Sequence, residues 1–213
     1  MQIKINNIAP IFLEKEKIQR SQIWNQPIVF NKTEHIQLVA PSGSGKTSFI
    51  HFLYGMRKDF TGTIEIAGMP LKNISPENLS GLRSKNISIV FQDLRLFSEH
   101  TAFENIDVKR KLNPFYKEER IKEIATLLGI ETKLNQAAKH CSYGEQQRIA
   151  IIRALQQPFD FIVLDEPFSH LDENNSKKAM LLIVEEAEKR NAGIILADLA
   201  TVPFFNAHKN YQL

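Results

Sequence analysis

The sequence predicts an α/β fold with a mostly parallel sheet, and three observations carry that prediction. Phe161-Ile162-Val163-Leu164 and Ile194-Ile195-Leu196-Ala197 are continuous apolar runs, the pattern of parallel strands covered on both faces. Between them, Asn175 to Arg190 places Ala179, Leu182, Ile183 and Ala187 at helical spacing. Upstream, the run Ile36-Gln37-Leu38-Val39 feeds a glycine-rich loop and then Phe49-Ile50-His51-Phe52-Leu53, a strand, a loop and a helix in succession.

The other elements follow in chain order. Met1 to Asn7 alternates like an edge strand, and Ile8, Ile11-Phe12-Leu13, Ile23-Trp24 and Ile28-Val29-Phe30 extend a region of short strands and hairpin, with a charged turn from Glu14 to Lys17. The helix after the loop closes near Gly55, and Thr61 to Gly68 and Asn86 to Phe91 alternate or run apolar as further strands. From about residue 94 to 144 the character turns helical. Lys117 to Leu128 places Ile121, Ile124, Leu127 and Leu128 on one face, and Gly129 is a natural stop. A further helix runs from Ser142 to about Gln157. The expected organisation is one domain over 1–213: a nucleotide-binding core with an antiparallel β subdomain (1–93 and 145–213) and a helical subdomain (94–144).

Composition narrows the function. The chain has 213 residues, 43% hydrophobic and 24% charged, enough for one sizeable core. A net charge of +3 is too small and too evenly spread to indicate direct nucleic-acid binding. One cysteine, Cys141, excludes an internal disulfide framework and fits a reducing compartment. The start lacks the apolar stretch of a secretory signal, and no run approaches the roughly 18 apolar residues that cross a bilayer. Any membrane role is expected to be peripheral.

The chemistry concentrates in three stretches. In Ala40-Pro41-Ser42-Gly43-Ser44-Gly45-Lys46-Thr47-Ser48, the glycines let the backbone turn its N–H groups inward around phosphate, and the following helix adds the positive end of its dipole. Lys46 is expected to reach the β- and γ-phosphates and Thr47 to hold Mg²⁺. Ala40 stands where many such loops carry their first glycine, so its φ must suit alanine. In Leu164-Asp165-Glu166-Pro167, two acids end a buried strand, Asp165 placed for Mg²⁺ and Glu166 for the water that attacks the γ-phosphate. Ser142-Tyr143-Gly144-Glu145 is a capping box, which satisfies a helix start and is also an anion site.

Taken together, the phosphate loop, Gln92, Ser142 to Arg148, Leu164 to Pro167 and Ser169-His170-Leu171-Asp172 resemble the ATP-binding subunits of ABC transporters over nearly the whole chain. The resemblance implies a P-loop NTPase (RecA-like) core and a head-to-tail homo- or heterodimer that sandwiches two ATP molecules with Mg²⁺. It implies Gln92 on the metal and against an integral membrane partner, and Ser142 and Gly144, with Glu145 beside them, on the opposite subunit's nucleotide. Asp172 would close the loop between the two sites. Phe12 falls where the family stacks an aromatic ring on adenine; a core role fits it too. The catalytic set becomes Lys46, Gln92, Glu166 and the residue at position 198. The implied location is cytoplasmic, on the inner face of the membrane through the partner. Phe91 to Phe97 and Thr101 to Ile106 look most like the small subunits of lipoprotein-release, macrolide-export and cell-division complexes.

Three residues depart from the family pattern. Cys141 replaces a leucine, Tyr143 a glycine at the closest approach to the opposite nucleotide, and Asp198 the histidine that donates to the γ-phosphate. His208, ten positions on, is a poor substitute. A carboxylate there is expected to repel phosphate oxygens and slow hydrolysis, so a nucleotide-gated, weakly hydrolysing module stands as the alternative to a transport ATPase. A nucleic-acid-linked ATPase would need coiled-coil arms or a basic stripe, and a P-loop kinase has no use for the capped helix.

Overall fold

The computed structural model describes residues 1–213. In chain order its elements are β1 (Gln2–Pro10), α1 (Lys15–Arg20), β2 (Pro27–Asn31), β3 (His35–Val39), α2 (Lys46–Leu53), β4 (Phe60–Ile66), β5 (Met69–Pro70), α3 (Pro76–Lys85), β6 (Ile87–Val90), α4 (Ala102–Leu112), α5 (Glu119–Leu127), α6 (Tyr143–Ala154), β7 (Phe161–Asp165), α7 (Glu173–Lys189), β8 (Gly193–Asp198) and β9 (Lys209–Gln212). An antiparallel sheet runs β2-β1-β4-β5, and a parallel sheet runs β6-β7-β8-β3-β9.

The pleat of the parallel sheet explains its apolar runs. Phe161, Val163, Ile195 and Ala197 face one core, shared with α2 and the antiparallel sheet through Trp24, Phe30, Phe49 and Phe52. Ile162, Leu164, Ile194 and Leu196 face the other, shared with α4, α5, α6 and α7. Each central strand is thereby covered on both sides. The apolar face of α5, Ile121, Ile124 and Ala125, belongs to that second core. This parallel sheet, with an antiparallel sheet before it and helices between β6 and α6, is the fold class the sequence predicts.

Three local expectations are corrected, and two elements, α3 and β9, had no counterpart in the sequence reading. β1 is interior, paired with β2 and β4, because its alternation comes from one buried face and says nothing about neighbours. Glu14 to Lys17 enters the short helix α1, which buries no residue and so leaves no periodic signal. Trp24 lies in a turn, its ring T-shaped against Phe49 and Phe52. α3 was legible in its cap, Ser75 ahead of Pro76 with its hydroxyl accepting from Asn78, but only Leu82 is buried and no apolar stripe betrays it. Finally, β9 adds a parallel edge strand beside β3, with Tyr211 tilted against Phe30.

Candidate functional site

The loop between β3 and α2 is shaped by its neighbours. Ala40 is fully buried, its N–H donates to the carbonyl of Asp198 at 3.0 Å, and its φ is not positive, so the missing first glycine causes no strain. Gly43 (φ +78°) and Gly45 (φ +96°) take the left-handed conformations that let the loop curl. A Cβ on Gly45 would also stand 3.1 Å from the Trp24 ring, whose indole N–H donates to the Ser44 carbonyl at 3.4 Å. The tryptophan is thus a floor under the loop. Ser44 is buried with its hydroxyl unpartnered. The cradle opens on a cavity of about 340 Å³ lined by Pro41, Ser42, Gly43, Gly45, Lys46, Thr47 and Ser48, together with Phe12, Leu13, Gln92 and Glu166.

The acids at the end of β7 meet this loop. Glu166 has φ +47°, a conformation uncommon for a side-chain-bearing residue. Its backbone is pinned by the N–H bond to the Ala197 carbonyl at 2.9 Å and by the amide of Gln147, which donates to its carbonyl at 3.1 Å. That twist aims the carboxylate at Lys46, and the two form a buried ion pair. Asp165 is 1% exposed and neither of its carboxylate oxygens has a partner, so burial pushes its carboxyl up to about 6. It lines a second cavity of about 210 Å³ with Thr47, His51, Gln92 and Asp93. There the Thr47 hydroxyl donates to the amide oxygen of Gln92 at 3.3 Å.

The capped helix lies apart from both cavities. Ser142 accepts from the Glu145 N–H at 3.3 Å and its own N–H donates to the Glu145 carboxylate at 2.7 Å, which is the predicted capping box. Lys133 pairs with the same carboxylate at 3.2 Å, and together these partners hold it below the usual range despite burial. Gly144 is required by contact, since a Cβ would meet the His170 carbonyl at 2.9 Å. Tyr143 is exposed, its ring tilted over that of His170 at 4.7 Å. Gln147 fastens this helix to the loop after β7, accepting from the His170 N–H at 2.9 Å. At the far end of α6, Arg153 clasps the carbonyls of Leu94 and Arg95, two successive left-handed residues just after Gln92. Asp172 caps α7 by accepting from the Asn175 N–H at 2.8 Å.

The structure therefore brings together Phe12, the phosphate loop, Gln92, Asp165 and Glu166, and leaves Ser142, Gly144 and Glu145 outside the cavities of the same chain. Phe12 is 51% exposed, which excludes the core role. Asp198 ends β8 opposite Val39, and burial and the charge of Glu166 both raise its carboxyl above the ordinary value. His208 lies at the other end of β3, its Nδ1 accepting from the His35 N–H at 2.8 Å, and takes no part. Sequence reasoning missed His51 and Asp93. His51 was findable, because it stands four residues after Thr47 on the same helix face. Gln147 and Arg153 gave no local signal, since their partners are distant in sequence.

Comparisons with known proteins agree with this geometry. The sequence profile of the ABC transporter family matches residues 26–169. The chain is 32% identical, over 98% of its length and 94% of that protein, to the lipoprotein-releasing system ATP-binding protein LolD of Buchnera aphidicola. It is 34% identical, over 77% of its length and 72% of that protein, to the cell division ATP-binding protein FtsE of Streptococcus pneumoniae. In fold it matches the ATP-binding cassette MJ0796, solved as a dimer in a post-hydrolysis state with ADP and Pi, with a TM-score of 0.80 and 23% identity over 93% of this chain and 88% of that one. On sequence agreement that runs through almost its whole length, the chain belongs to the ABC transporter family.

Proposed function

We propose that this chain is the ATP-binding subunit of an ABC transporter, which binds and hydrolyses ATP in a head-to-tail dimer and drives an integral membrane partner. The observation that carries it is the phosphate-sized cradle with one buried cation, Lys46, facing the strand-end acids Asp165 and Glu166. Relatives named for lipoprotein release and cell division support a place on the cytoplasmic side of a membrane, reached through that partner. No helix of the chain is long and apolar enough to cross a membrane by itself. Residues 1–93 and 145–213 form the nucleotide-binding part in this reading, and 94–144 the helical subdomain.

The residues fit Mg²⁺. Both Asp165 oxygens are buried without partners beside the Thr47 hydroxyl and the Gln92 amide oxygen, an all-oxygen set suited to a hard cation. Thr47, Gln92 and Asp165 would hold it, and when bound it supplies positive charge against the β- and γ-phosphates. The inward N–H groups of the loop and Lys46 orient the triphosphate, and Phe12 offers its open ring to the base. Glu166, once parted from Lys46, accepts the proton of the attacking water. Ser142, Gly144 and Glu145 serve the nucleotide of the opposite subunit, which fits their absence from the cavities of their own chain.

A second reading, a nucleotide-gated module with little turnover, is favoured by Asp198. A carboxylate at the γ-phosphate position repels where the family histidine donates.

Lys46→Ala tests the site. Charge-assisted contacts of this kind are worth about 1.5–3 kcal/mol, so ATP affinity should fall roughly tenfold to a hundredfold in calorimetry with Mg²⁺. Parent-like affinity would remove the assignment.

A further inference from the structure

Just beyond α2, Arg57 touches two residues that line the nucleotide cavity. Its guanidinium carbon lies 4.6 Å from the centroid of the Phe12 ring, and Nη1 donates to the Ser48 hydroxyl at 3.1 Å. Phe12 and Ser48 both line that cavity, whereas Arg57 does not. The guanidinium is itself aimed by Asp59, whose carboxylate receives Nε at 3.0 Å and Nη2 as the second arm of a fork. Phe52, at 5.8 Å, lies against the same group.

We infer that Arg57 is a positioning residue for the bound nucleotide, acting on the base through Phe12; this rests on the function proposed above. An exposed phenylalanine otherwise samples several rotamers, and a planar cation stacked on one face holds it in a single orientation with the other face free. A purine stacking on that free face then meets a ring already ordered, and the ordering cost does not fall on the ligand. Lysine would supply the charge without the flat surface or the fork to Asp59. The bond to Ser48 ties the ring's orientation to the first turn of the phosphate-loop helix, so the base end and the phosphate end of the site share one frame.

The test uses calorimetry of the full chain with Mg²⁺ and two ligands, ATP and inorganic tripolyphosphate, which has no base. Arg57→Ala should weaken ATP about fivefold, within the range of a cation–π contact and a partly lost base stack, and change tripolyphosphate by less than about twofold. Arg57→Lys should fall between it and the parent. In the Phe12→Ala background, Arg57→Ala should cost little more, because the arginine acts through that ring. Unchanged ATP affinity, an equal loss for both ligands, or fully additive losses would each overturn the inference. Lys46→Ala is the separate control: if it bound both ligands like the parent, the phosphate site itself would be wrong, whatever Arg57 does.

Discussion

Two carboxylates show how position sets chemistry at the residue scale. Asp165 is raised from the ordinary 3.8 to about 6 because burial disfavours its charge by more than the neighbouring Thr47 hydroxyl and Lys46 favour it. That rise corresponds to roughly 3 kcal/mol. A raised carboxyl pKa opposes folding fully above the folded value and is relieved as pH falls from about 6 towards 3.8. Asp165→Asn should therefore melt higher than the parent at pH 8, without metal or nucleotide, and the gain should shrink on acidification. A gain independent of pH would mean that charge burial is not its source. Asp198 is also raised, by burial first and then by Glu166. In the proposed closed site its charge opposes the γ-phosphate, so Asp198→His should increase ATP turnover by about tenfold for each 1.36 kcal/mol regained, and Asp198→Asn by less. The advantage of Asn over the parent should be greatest at alkaline pH and narrow on mild acidification, as the parent's own carboxyl takes a proton. Turnover at saturating ATP that does not rise in either variant would place Asp198 outside the reaction.

At the scale of elements, α6 joins three loops. Its start is closed by the Ser142–Glu145 box, Gln147 holds the chain after β7, and Arg153 holds the left-handed pair Leu94 and Arg95. Arg153 is itself deeply buried, which lowers its pKa to about 10. Arg153→Ala strands the buried Leu94 carbonyl and the partly exposed Arg95 carbonyl, and leaving a buried polar group unpaired costs about 1–3 kcal/mol. We expect a loss of roughly 1–3 kcal/mol in urea unfolding. A loss below about 0.5 kcal/mol, the size of an ordinary surface change, would mean the loop finds other partners. The capping box was legible because its residues are three apart, and the phosphate loop because glycine spacing and flanking apolar runs are local too. β7 and β8 were legible because burial on both faces leaves unbroken apolar runs. β9 was not: Lys209-Asn210-Tyr211-Gln212 is half-buried and edge-paired, and its partner β3 lies far back in the chain. Arg57 was illegible for the same reason, since its value lies in where Phe12 and Ser48 come to rest.

At the scale of the molecule, the cradle and the capped helix lie apart, and in the proposed dimer each subunit is an incomplete site. With Glu166→Gln, which keeps shape and hydrogen bonding but removes the base, ATP should bind and not be consumed. The trapped species should elute from size exclusion as a dimer. Only monomer under those conditions would exclude self-pairing and leave an unlike partner as the route to a complete site. Co-purification with an integral membrane subunit tests the membrane role directly. The pairing of Lys46 with Glu166 has one more consequence. Lys46 and Glu166 form a direct ion pair, in the proposed function the fuel-gripping cation held by the water-activating anion. On that proposal, a triphosphate that enters takes the lysine and so releases the glutamate. The engine carries its own safety catch, and the arriving fuel is what lifts it.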